Sequence, residues 1–132
     1  GMRVGYLVCE PGLAAAIRSV ATPFGVNLPA QAAAAAALGD AELARTAERS
    51  ATIAAERDRV VAALRAQGWE VPDAQGNFFW LGVGDETTAL AEHFRAAGIL
   101  VRPFDGEGVR ISIGTTSDNE RVLAAAASWL DR

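Results

Sequence analysis

The stretch Gly98–Thr115, GILVRPFDGEGVRISIGT, decides how the chain is read. Ile99–Arg102 and Val109–Ile113 are short runs rich in β-branched residues, and glycines and a proline punctuate the loop between them. That composition predicts two strands. In the second strand the alternation is regular. Val109, Ile111 and Ile113 face one way, and Arg110 and Ser112 face the other.

Working outward, the pattern alternates helix and strand. Asp40 is placed to cap a long helix running to about Gln67, with Ile53, Val60, Val61 and Leu64 as its apolar stripe and Gly68 as its stop. Its charges, Glu56, Arg57, Asp58 and Arg59 among them, are expected on a solvated face. Trp69–Val71 reads as a short strand before Pro72, and Phe78–Val83 as a more apolar one. Asp85 is expected to cap a helix bearing Leu90, Phe94 and Ala97, closed by Gly98. Ser117–Glu120 has the spacing of a capping box. It opens a last helix with Val122, Leu123, Ala126, Trp129 and Leu130 inward.

Upstream, Arg3–Cys9 (RVGYLVC) reads as a buried strand. A helix starting near Pro11 follows, and Thr22–Gly25 breaks it. A second, alanine-rich helix spans Asn27–Leu38, with Asn27 or Leu28 as cap and Gly39 as stop. The fold class expected is α/β, in the form of an α+β small domain. Its small, mostly antiparallel sheet is covered by helices over residues 39–132, and a strand-helix-helix segment over residues 1–38 precedes it.

Composition narrows function mainly by exclusion. The chain has 132 residues, enough for one domain with a core, and a net charge of −4, which suggests no nucleic-acid partner. It has no run long and apolar enough for a membrane span or a signal peptide, so a cytoplasmic protein is expected. The lone Cys9 excludes an internal disulfide and any cysteine-based metal cluster, and is read as core packing. The lone His93 is read as a surface residue, and neither a metal site nor a Ser-His-Asp set can be built around it. No catalytic residue is assigned.

The arginines carry more. All twelve basic residues are arginine. Arg110, between apolar neighbours on a strand, is costly to bury unpaired. It should meet an anion, either a protein carboxylate or a ligand, and its planar fork suits carboxylate or phosphate. Arg102 ends the preceding strand and could converge on the same place. Arg3 lies two residues before Gly5, where a ligand can approach the backbone closely.

Five segments, in order, resemble the class I/II aminotransferases of fold type I, closest to the histidinol-phosphate and aromatic branch. They are GMRVGY at 1–6, VNLPAQAAA at 26–34, ERDRV at 56–60, GNFFW at 76–80, and GILVRPF with GVRISIGT between 98 and 115. The resemblance implies the C-terminal part of a pyridoxal-phosphate (PLP) enzyme. That enzyme would move an amino group between an amino acid or histidinol phosphate and a 2-oxo acid. It implies that Arg3 contacts the cofactor phosphate, that Arg110 grips the anionic end of the substrate, and that Arg102 is a second arginine near that end. For Asn77 it implies a structural role. In the family the Schiff-base lysine lies just upstream of the segment matched by Arg3.

This chain contains no lysine. It is therefore expected to bind no PLP by itself and to be inactive alone, because PLP chemistry needs an amine and arginine stays protonated. A homo-oligomer is expected. Two further readings stand beside this one. One is a non-catalytic truncated paralogue or binding module; the other is the C-terminal piece of an aminotransferase-like regulator.

Overall fold

A computed structural model describes residues 2–132. Gly1, which opens the first family-like segment, lies outside the described residues. The chain divides into two compact units, residues up to Glu48 and Arg49–Arg132.

In the first unit, residues 2–10 form no strand. The strand expected over Arg3–Cys9 is thus corrected. A single extended segment leaves its amides and carbonyls unpaired unless a neighbour supplies a ladder. No second strand lies in this unit among the described residues. Tyr6, Leu7 and Val8 are exposed, and Cys9 is half-buried rather than a core residue. Helix α1 (Pro11–Val20) begins with Pro11 at its first position, and the Glu10 carboxylate accepts from the Leu13 N–H at 3.2 Å. Helix α2 (Leu28–Ala37) is capped by Asn27, whose side chain accepts from the Ala30 N–H at 2.8 Å. Ala30 is the one buried residue of α2.

Helix α3 spans Asp40–Gln67. It ends at Gly68, whose φ of +104° a side chain would strain. The second unit then runs β1 (Phe78–Gly82), a single 3-10 turn at Gly84–Glu86, α4 (Thr87–Ala96), β2 (Arg102–Phe104), β3 (Gly108–Ser112) and α5 (Thr116–Leu130). The sheet order is β1-β3-β2, antiparallel throughout. Its inner face carries Phe79, Leu81, Val109 and Ile111, each nearly or fully buried. They form one core with Val60, Val61 and Leu64 of α3, Leu90 and Phe94 of α4, and Val122, Leu123, Ala126 and Trp129 of α5. This is the helix-covered antiparallel sheet expected from the alternation of strand residues.

Several local expectations shift. Trp69 and Val71 are buried, but residues 69–71 pair with no strand. The strand expected at Ile99–Arg102 instead begins at Arg102, since the Gly98 turn (φ +73°) occupies the approach. Asp85 lies within the 3-10 turn and caps nothing; the Thr87 hydroxyl donates to the Gly84 carbonyl there at 2.6 Å. The capping box of α5 is two residues earlier than its S-x-x-E reading. Thr115 is the N-cap and Asp118 the reciprocal partner, because Thr115 is the residue with extended backbone angles. His93 is half-buried. Its Nε2 lies 2.9 Å from the Ala125 carbonyl and 3.0 Å from the Ser128 hydroxyl, tying α4 to α5. Among the described residues no helix is long and apolar enough to cross a membrane, and no cluster of side chains could hold a metal ion.

Candidate anion site on the open sheet face

The outer face of the sheet holds the side chains that alternation sends away from the core. They are Phe78 and Ser112 at one end, Trp80, Arg110 and Arg102 across the middle, and Phe104 at the other end. Arg102 and Arg110 are direct cross-strand partners. Opposed like charges on a sheet are unfavourable by about 0.2–1 kcal/mol. Neither guanidinium has a carboxylate within ion-pair reach among the described residues.

Each instead rests on an aromatic ring. The Arg110 Cζ lies 5.2 Å from the centroid of Phe78, and the Arg102 Cζ lies 5.1 Å from that of Phe104. Cation–π contact holds each fork in place without neutralising it, at about 0.5–1 kcal/mol on an exposed surface. The rings sit at opposite ends of the strand register, so the two forks are held apart. Phe104 is fixed in turn by Trp80, edge to face at 5.5 Å.

The Trp80 ring passes close to two glycines. A Cβ at Gly108 would meet Trp80 Cζ2 at 2.8 Å, and one at Gly82 would meet Trp80 Nε1 at 3.3 Å.

Beside this face lies a groove of about 440 Å³. Arg102, Arg110 and Arg121 border it, with Ser112, Asp118 and Asn119. Three guanidiniums thus face one carboxylate. Asp118 is already engaged, since the Thr115 hydroxyl and backbone N–H hold its carboxyl below the usual range. Arg121 donates to the Ala97 carbonyl at 3.0 Å, at the end of α4. The groove therefore has spare donors and an excess of positive charge, a combination that takes an anion.

The structure brings together two of the three sequence-predicted site residues, Arg102 and Arg110. Arg3 belongs to the first unit, exposed, with a left-handed φ of 58°. Asn77, expected to be structural, accepts the Ile113 N–H at its carbonyl, 2.9 Å away, just before β1. Sequence reasoning missed Arg121, Asn119 and Glu56. Asn119 was hidden in the helix-start reading of 117–120, Arg121 followed it with no signal of its own, and Glu56 lay in what looked like a solvated charge run.

A family profile described as "Aminotransferase class I and II" matches residues 1–126. The chain is 46% identical over 131 residues to an aromatic amino acid aminotransferase of Thermobifida fusca, covering 99% of this chain and 36% of that protein. It is 47% identical over 130 residues to one of Streptomyces coelicolor, covering 98% and 35%. A crystal structure of a presumptive aminotransferase from Burkholderia pseudomallei superposes with a TM-score of 0.73 at 32% identity, covering 91% of this chain and 38% of that one. The chain spans about a third of the length of these relatives.

Proposed function

The chain belongs to the class I and II aminotransferase family, and we propose that it is the small-domain portion of a PLP-dependent aromatic amino acid aminotransferase. In this reading residues 39–132 are the small domain and residues 1–38 the junction to the large one. Arg110 holds the substrate carboxylate, Arg102 assists it, and Arg3 contacts the cofactor phosphate. The observation that carries the reading is the Arg102–Arg110 pair. Two opposed guanidiniums, stacked on phenylalanines and without an ion-paired carboxylate among the described residues, border a groove with an excess of donors. The aromatic choice over histidinol phosphate rests on the names of the relatives. The expected partners are an aromatic amino acid and a 2-oxo acid, in the cytoplasm.

The residues present do not by themselves fit PLP. The cofactor supplies imine chemistry on an amine, and this chain has no lysine side chain to hold it. What the chain's own residues do is bind and orient. The Arg110 fork offers two parallel N–H donors to a carboxylate, with the Ser112 hydroxyl on the same face, and the Phe78 ring limits how the fork can turn.

The test is a titration of the chain with phenylpyruvate and with 2-phenylethylamine, followed by NMR. The carboxylate should shift Arg110 and Ser112 resonances, and the amine should not. Losing a charged hydrogen bond costs about 1.5–3 kcal/mol, so Arg110→Ala should weaken binding by roughly 10- to 100-fold. Equal affinity in wild type and R110A would refute the assignment. In the same preparation the chain should show no transaminase turnover with added PLP. Borohydride should trap no adduct on an internal residue, although the α-amino group of Gly1 can react.

A further inference from the structure

β3 outruns its neighbour. β2 pairs with it only as far as Arg102↔Arg110, while β1 follows it to Phe78↔Ser112. The Ile113 N–H is bonded to the Asn77 carbonyl on the β1 side. In an antiparallel ladder the bonding groups alternate sides, so those of residues 110, 112 and 114 point toward β2. Beyond Arg110 no strand is there to meet them, and Leu100, which would stand opposite Ser112, is 88% exposed.

One side chain takes the place of the missing strand. The Asn119 Oδ1 accepts from the Gly114 N–H at 3.0 Å, and its Nδ2 donates to the Gly114 carbonyl at 3.1 Å. This is the reciprocal pair a strand residue would make. Asn119 is 1% exposed, and the second Nδ2 hydrogen goes to Glu56 Oε1 at 3.0 Å. Glu56 is gripped by Arg59 through two bonds of 3.0 and 2.7 Å, and Arg59 also pairs with Glu120 at 2.8 Å. Both donor hydrogens of the carboxamide are therefore committed. The adjacent Arg57 donates to the Gly76 carbonyl at 3.3 Å, immediately before Asn77. One turn of α3 thus holds the entry of β1 and, through Asn119, the exit of β3.

We propose that Asn119, held from behind by Glu56, is a positioning residue for Arg110. Its carboxamide closes the edge of β3 where β2 stops, and so keeps Ser112 in register with Phe78, the ring on which the Arg110 guanidinium rests. The functional sense of this rests on Arg110 being the anion anchor, but the geometry and its test need no ligand. A failed anion titration would count against the anchor and leave the clamp standing.

Hydrogen exchange and side-chain NMR of the whole chain test the clamp alone. In Asn119→Ala the Gly114 and Ile113 amides should exchange at least about tenfold faster, while Leu81 and Val109, at the other end of the ladder, keep their protection. The ring-current shift of the Arg110 Nε–H from Phe78 should collapse. Asn119→Asp preserves size and the acceptor for the Gly114 N–H, but it loses both donors and sets a carboxylate against the Gly114 carbonyl and Glu56, so it should move the Arg110 signature as N119A does; a cavity effect would leave it silent. An unchanged Arg110 signature in either variant overturns the proposal, as does loss of protection spread evenly over the sheet. Should both fail to fold, Glu56→Ala leaves the buried amide in place. It should show the same local pattern at smaller amplitude, and an unmoved Arg110 signature there is equally fatal.

Discussion

Among the described glycines, Gly108 leaves an added methyl group the least room. Its φ of +157° is one that L side chains rarely adopt, and a Cβ there would sit 2.2 Å from the Leu81 carbonyl oxygen. It would also sit 2.8 Å from Trp80 Cζ2 and 2.9 Å from Gly82 Cα. An ordinary carbon–oxygen contact is about 3.3 Å, so β1 and β3 would have to part by about 1 Å at their shared end. Overpacking of this kind costs about 1–3 kcal/mol. The backbone strain adds about 1–3 kcal/mol. Gly108→Ala should therefore lose roughly 2–6 kcal/mol of a stability on the order of 5–15 kcal/mol.

Gly106 is the control. It has a φ of +75°, and a Cβ added there would meet no atom within 4 Å. Gly106→Ala should cost only about 1–2 kcal/mol, the left-handed penalty alone. Urea unfolding followed by tryptophan fluorescence gives both values. Trp80 should also lose its edge-to-face contact with Phe104 in G108A, and Arg102 its support. If G108A and G106A were equally stable, the contact between β1 and Gly108 would not limit the fold, and the seating of Trp80 would need another cause.

Other expectations concern charge and association. Arg59 first, then Asn119, holds the Glu56 carboxyl down at about 2. The folded value lies below the ordinary 4.5, so the carboxylate's contribution is complete above that value. It shrinks as pH falls and vanishes below about 2. The difference in melting temperature between wild type and Glu56→Gln should accordingly be largest near neutral pH and narrow below about pH 4.5. A pH-independent difference would contradict the ion pair. The first unit exposes Tyr6 (77%), Val8 (86%) and Leu28 (77%), as well as Phe24. The isolated chain should self-associate through residues 1–38, as light scattering would show. A monomer at all concentrations, with protected amides over Arg3–Cys9, would refute that.

What local pattern encodes was legible in the sequence. Strand alternation around Arg110 named the core-facing Val109 and Ile111 and the outward Arg110. Glycines marked the ends of α3 and α4, and Asn27 the start of α2, because positive φ and a cap acceptor are demands met within a few residues. The family-like segments pointed to the aminotransferase fold.

Tertiary structure decided what depends on partners distant in the chain. Arg3–Cys9 has strand composition but no ladder among the described residues, so composition alone could not make it a strand. The helix start at Thr115 rather than Ser117 was settled where β3 ends and the backbone turns. The register that opposes Arg102 and Arg110, the stacking of Arg110 on Phe78, and the bond from Asn119 to Glu56, which are 63 positions apart, all depend on separate elements meeting. Hydrogen-bond geometry across such separations is set by packing, and no spacing rule in a single sequence reports it.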